Sequence, residues 1–346
     1  MAEVLYVGTT RGVTTLCRNN GAPWRVEHQG LEDWTVTAVV VVPAEPNRVL
    51  AATRGDGVWL SEDFGKSWRK PCYGKPGPGK VQCLTLDPHT PGRVYAGGEP
   101  IDVFVSDDLG RNWERLASVR ALPFVAAIGY PLATVEPHVR DITVAPSDSR
   151  TIYAALQVGY MIKSTDGGAT WQLLDRDLDA DVHTIVVDPT APNNIVVATG
   201  GHDFRAGKAK GRALYRSTDG GASWAPVGTN FPHEYSVPLV ASPANPRVLY
   251  SALANGQPGQ WRRPTGAESL LVRSGDGGAT WEAVPVGVPD VTRDFAGAIA
   301  LAADAPERLY AGLHGGQILA SDDGGNSWTT LDVQVGHVCD LQHAAA

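Results

Sequence analysis

The chain has no surplus of positive charge. Of its 346 residues, 29 are Lys or Arg and 37 are Asp or Glu, a formal net charge of -8. A nucleic-acid partner calls for the opposite balance, because neutralising phosphates takes Lys and Arg in excess. Long apolar runs are also missing. Stretches such as AVVVV at 38–42 are far shorter than the ~20 residues a membrane helix needs, so no membrane partner is expected. Cysteine is scarce. Cys17, Cys72, Cys83 and Cys339 form no C-x-x-C pair, which leaves neither a cysteine-based zinc site nor a redox motif. The opening residues, MAEVLYVGTTRGV, lack the basic segment and apolar core of a secretory signal. Together these absences lead to the expectation of a cytoplasmic protein with free thiols. No long stretch repeats its apolar residues with the helical period, so a mainly helical fold is not expected.

What is present is repetition. SEDFGKSW (61–68), SDDLGRNW (106–113), STDGGATW (164–171), STDGGASW (217–224), SGDGGATW (274–281) and SDDGGNSW (321–328) share the pattern S-x-D-x-G-x-x-W. A weaker copy, CRNNGAPW at 17–24, has Asn19 in the Asp position. The copies recur at intervals of roughly 45 to 60 residues, in the range of propeller blades. Each follows a short apolar run such as GVWLS or ALYRS. Before that comes another, as in RVYAGG or NIVVAT, and before that a third ending near a Pro-containing turn, as in VQCLTLDPHTP. Short Val/Ile/Leu/Tyr runs punctuated by Gly, Pro, Asn and Asp read as strands joined by tight turns. A short run after each Trp, such as WQLLD, completes four strands.

Six first strands can be counted, from VTAVVVV to AGAIAL, and VGHVCDLQH near the C-terminus supplies a seventh. The N-terminal EVLYVGTTRGVTTL reads as the second and third strands of a unit that lacks its first. The expected fold is therefore an all-β, seven-bladed β-propeller, one domain over residues 1–346, closed by pairing of the C-terminal strand with the N-terminal blade. Closure of this kind removes open sheet edges.

The six good boxes resemble those of the BNR, or Asp-box, repeat propellers. That superfamily includes sialidases, sortilin-type receptors, xyloglucan hydrolases and a photosynthetic assembly factor. The resemblance covers essentially every blade and implies a scaffold, not an activity. The R-I-P signature of sialidases is absent; the corresponding stretch reads TTRGVTT, so sialidase activity is not expected. Xyloglucan hydrolases hold their cleft between two propellers, and this chain supplies one.

The boxes themselves read as structural. Asp63, Asp108, Asp166, Asp219, Asp276 and Asp323 sit in the turn between third and fourth strands, where an Asp accepts backbone N–H groups. An active site needs one acid, not one per blade. A calcium loop would need further carboxylates that DGG does not supply.

Function is expected on the opposite face. It carries the irregular segments 117–138, 200–212 and 254–269, and binding residues concentrate on such loops. It also gathers His and Arg. Two chemistries follow. In one, a subset of His138, His183, His202, His233, His314 and His337 binds one divalent transition metal, which neutral imidazole suits. In the other, Arg11, Arg54, Arg140 and Arg293 clamp the carboxylate or phosphate of a small anionic ligand, with Trp34 and Gln82 at the same mouth. His183 or His138 is then the candidate general base, Asp181 or Glu99 its partner or acid, and Tyr235 a further catalytic candidate. The leading expectation is a hydrolase or lyase acting on a small molecule. The alternative is a noncatalytic propeller that binds a ligand or a protein partner, WRRP at 261–264 being part of its rim.

Overall fold

The computed structural model describes residues 2–19, 21–43, 45–129, 135–287, 293–302 and 304–345. Its strands form seven antiparallel sheets, six of four strands and one of three. The innermost strands of the first six blades are Val36–Val42, Val81–Leu86, Val139–Val144, Val182–Val187, Tyr235–Ala241 and Ala296–Leu301. The seventh blade is composite. Val338–Ala345 is its inner strand and pairs with Ala2–Thr9, which continues to Gly12–Asn19 and Arg25–Gly30. The closure expected from the two chain ends is thus the closure found. In the first blade an isolated bridge between Leu60 and Arg69 stands where the others have a fourth strand.

The second strands are buried along most or all of their length, as in IVVAT at 195–199 and LYAGL at 309–313, Glu45–Thr53 being half-buried over its first four residues. They read as unbroken apolar runs because each sheet is covered on both faces by neighbouring blades. Seven apolar clusters result. Each spans two adjacent blades, and the last, containing Tyr6, Val36 and Val49, joins the seventh blade to the first.

The boxes lock these layers. In STDGGATW, Ser164 donates to Asp166 Oδ1 at 2.7 Å, and Asp166 accepts the Thr170 N–H at 2.9 Å and the Thr170 hydroxyl at 2.6 Å. Gly168 lies at φ +94°, where a Cβ is disfavoured. The other five boxes repeat these bonds. The Thr170 and Ser164 donors hold the exposed Asp166 carboxyl down to about 2. The box Trp then packs toward the preceding blade, as Trp224 does in the cluster shared by the third and fourth blades and Trp328 in that of the fifth and sixth. The Asp boxes are turn locks, as their repetition implies.

The opposite face carries the irregular segments. Two single-turn helices, Ala117–Arg120 and His202–Arg205, stand in them. The four cysteines are unpaired. No helix among the described residues is long and apolar enough to cross a membrane.

Candidate functional site

Every inner strand contains an irregularity near its start. The register against the second strand shifts between Val36 and Ala38, Val81 and Cys83, Val139 and Asp141, Val182 and Thr184, and Ala296 and Ala298. The seventh blade does the same around Cys339, and the fifth between Ser236 and Leu239. A bulge adds one residue and re-aims its side chain. The extra residues are Thr37, Gln82, Arg140, His183, Gly297 and Cys339, with Val237 and Pro238 sharing the role in the fifth blade. All of them line one central cavity of about 540 Å³. Each bulge also lets the following residue face the same space, which brings Asp141, Thr184 and Asp340 to its wall.

Aligning first strands on their terminal turns finds most of this level: Thr37, Gln82, Arg140, His183 and Val237. It misplaces His337. The pairing of Val338 with Thr9 makes Cys339, not His337, the counterpart of His183. His337 lies two residues earlier, level with Asp181 and His138. The reason is the bulge itself, which a sequence pattern does not mark.

The mouth has two unlike halves. The first three blades supply charge. Arg54 Nη2 lies 2.9 Å from Glu99 Oε2, Lys80 Nζ 3.4 Å from Oε1, and Gln82 donates to Oε2. Burial works against ionisation of Glu99, but Arg54 and Lys80 outweigh it and hold the carboxyl below the usual range. The fourth to seventh blades supply rings. His183 meets Tyr235 edge-on at 5.2 Å, and Tyr235 meets Trp261 and Phe295. Trp261 and Phe295 in turn contact His314, which stacks on His337 with centroids 4.0 Å apart. Burial, then the neighbouring His337, pushes His314 down to about 3.

The proposed acid–base residues are engaged within the protein. His183 Nδ1 donates to the Ser236 carbonyl at 2.6 Å, and its Nε2 stands 3.4 Å from Asp181 Oδ1. Burial opposes the charge on Asp181, yet His183 and Arg140 hold its carboxyl down to about 2. His138 Nδ1 donates to the Glu136 carbonyl at 3.0 Å, and burial with the Arg140 charge pushes the ring down to about 3. A group so hard to protonate is a weak general base. Glu99, His138 and Asp181 are buried beside the cavity rather than on its wall.

Of the other candidates, Arg54, Gln82, Arg140, His183, Tyr235, His314 and His337 line the cavity. Arg11, Trp34, His202, His233 and Arg293 do not. Arg11 is exposed at the tip of a hairpin turn, and Trp34 covers Gly55. The His202 N–H donates to Asp179 Oδ1, and His233 Nε2 meets the Glu268 carbonyl at 2.9 Å. Among the described residues, no three His, Cys, Asp or Glu side chains gather as a metal site would require. The six histidines are instead dispersed around and beyond the rim, so the metal reading finds no ligand set here.

Three acids were missed. Asp340 accepts the Val39 and Leu341 N–H groups, and Asp141 accepts that of Ile185. Burial pushes them up to about 7 and about 6. The signal was an Asp inside an apolar run, in RDITV and VCDLQ. Asp179, fully buried, accepts three N–H groups from Asp181, His202 and Phe204 and so fixes the short helix. Arg140 differs from all of these. Its guanidinium makes no hydrogen bond or ion pair among the described residues, and its Nε is buried without a partner.

No protein-family profile matches the chain. A xyloglucanase from a Paenibacillus species is 27% identical over an alignment of 221 positions that covers 54% of this chain and 20% of that protein. Among solved structures, the GH74 enzyme of Niastella koreensis superposes with a TM-score of 0.61 at 18% identity, covering 85% of this chain and 45% of its own. A structure of YCF48 bound to D1 peptide gives a TM-score of 0.58 at 15% identity, covering 93% and 94%. What they share with this chain is the fold. The chain is a seven-bladed β-propeller with a hydrolase and a peptide-bound propeller among its neighbours. It spans a fifth of the curated relative and under half of the GH74 structure.

Proposed function

We propose that this propeller is a binding protein for a small anionic ligand, held in the central cavity by Arg140. One observation carries the reading. Among the described residues, Arg140 alone of the charged groups on the cavity wall lacks a hydrogen-bond or ion-pair partner, whereas Arg54 is paired with Glu99 and the Asp141 and Asp340 carboxyls accept backbone N–H groups. The Arg140 side chain is half-buried with its Nε fully enclosed, a cost that a carboxylate or phosphate offsets with two parallel hydrogen bonds. A space of about 540 Å³ suits a small molecule.

The test is a thermal-shift and calorimetry screen of small carboxylates and phosphates. The wild type should be stabilised by at least one of them, and Arg140→Gln should lose that response while keeping its unliganded melting temperature within a few degrees. If no anion stabilises the wild type, the reading falls. The hydrolase reading rests on the local likeness to the xyloglucanase. Turnover of a xyloglucan oligosaccharide that disappears in Asp141→Asn or Asp340→Asn would restore it.

A further inference from the structure

The cavity wall is divided by chemistry, and the division follows the order of the blades. Arg140 belongs to the inner strand of the third blade. His314 follows the second strand of the sixth, Leu309–Leu313, and His337 precedes the inner strand of the seventh. The sixth and seventh blades both stand as far from the third as a ring of seven allows. Arg140 and the two imidazoles therefore line one cavity from opposite sides.

The imidazole side is a surface of rings. His337 stacks on His314 with planes 28° apart. His314 is supported by Phe295 at 5.3 Å and Trp261 at 5.6 Å, neither of which lines the cavity. These supports are fixed. Phe295 is fully buried, and Trp261 Nε1 donates to the Asn255 carbonyl at 2.9 Å. Tyr235 continues the surface, edge-on to Trp261 at 5.3 Å and to Phe295 at 5.8 Å. Of the five rings, Tyr235, His314 and His337 line the cavity, and none of these three is buried. The apolar cluster shared by the fifth and sixth blades, to which Phe295, Tyr235 and Trp261 belong, is thus extended into the cavity rather than closed beneath it.

Charge decides which end of a ligand meets this surface. Burial and the neighbouring His337 push His314 down to about 3, and burial lowers His337 although Asp294 opposes it. Both imidazoles are neutral at neutral pH and offer ring faces rather than cations. An anion is therefore drawn to Arg140, and an aromatic body to the far wall, where offset-stacked and edge-on contacts favour it.

We propose that the ligand of this cavity is an aromatic carboxylate, its carboxylate on Arg140 and its ring against Tyr235, His314 and His337. This rests on the anion-binding reading and names the ligand class.

The experiment is calorimetric titration of the full-length protein with inorganic phosphate, acetate, benzoate, phenylacetate and hydrocinnamate. The cyclohexyl counterpart of each aromatic acid and benzyl alcohol, a ring without charge, complete the series. The aromatic acids set the ring at increasing distances from the carboxylate. At least one should bind about tenfold or more tightly than acetate, because its ring leaves water, and about fivefold more tightly than its cyclohexyl counterpart, because only a π system gains from the ring contacts. His337→Ala, at an exposed residue, and Tyr235→Leu should each reduce that fivefold preference, melting curves confirming that the variants fold. Arg140→Gln should abolish binding of the acids. If only phosphate binds, or the aromatic acids bind no better than acetate or their cyclohexyl counterparts, the proposal is overturned and the anion-binding reading stands. A preference undiminished in both ring variants also overturns it. If no anion binds, or benzyl alcohol binds as tightly as the acids, both fall.

Discussion

A buried carboxyl with a raised titration point leaves a signature in stability. Burial pushes Asp340 up to about 7. The unfolded chain releases this proton near pH 4, whereas the folded chain keeps it until about 7. Between those values the folded state binds more protons, so the group's contribution to stability is full below about pH 4 and is lost as pH rises through 7. Asp340→Asn, which retains an oxygen for the Val39 N–H, should flatten that fall. Urea midpoints at pH 5 and pH 8 measure it, and equal displacement of wild type and variant between the two would refute the assignment. By contrast Asp166, outwardly the more suggestive acid, is exposed and low because Thr170 and Ser164 donate to it.

At the scale of the element, the bulged inner strand is the unit that matters. In the first four blades its hydroxyls tie each blade to the next: Thr37 donates to the Val81 carbonyl at 2.8 Å and Thr184 to that of Val237 at 2.6 Å. Thr184→Val removes one such tie and leaves a carbonyl unmet, at a cost of about 1 kcal/mol. Chemical denaturation checks this, and an unchanged midpoint would show the tie to be dispensable. The strands and boxes were legible in the sequence because turn chemistry and short apolar runs are local signals. Arg140, His183 and Gln82 were legible because alignment on the terminal turn keeps their depth. Cys339, Asp141 and Asp340 were not, because a bulge breaks the alternation that assigns side chains to faces. His202 and Arg11 were misjudged for a related reason: loop residues were assigned to the mouth by rank along the chain, while Asp179 and the hairpin turn direct them elsewhere.

At the scale of the molecule, stability depends on the seventh blade. Its two halves come from opposite ends of the chain, and Glu3 on one meets Arg18, Arg308 and His343 around it. Without Val338–Ala345, the strand Ala2–Thr9 would present an unpaired edge, and the apolar clusters on both sides of the blade would open. Deleting residues 338–346 should therefore abolish cooperative unfolding and yield aggregated protein. Sedimentation velocity and thermal melts test this. A soluble monomer with a sharp melt would mean that six blades close without the seventh.

The bulges also bear on how such a protein changes its ligand. Each blade contributes a bulged residue to the cavity, and Thr37, Gln82, Arg140, His183, Gly297 and Cys339 belong to none of the apolar clusters between blades. In the sixth blade this contribution is Gly297, whose missing side chain leaves space that His314 occupies, a Cβ there falling 2.7 Å from the ring. A glycine at one spoke and an arginine at another are thus variations on a single backbone. New specificity needs substitutions at the hub, not a new scaffold. Propellers that superpose on this one need share nothing of what they hold.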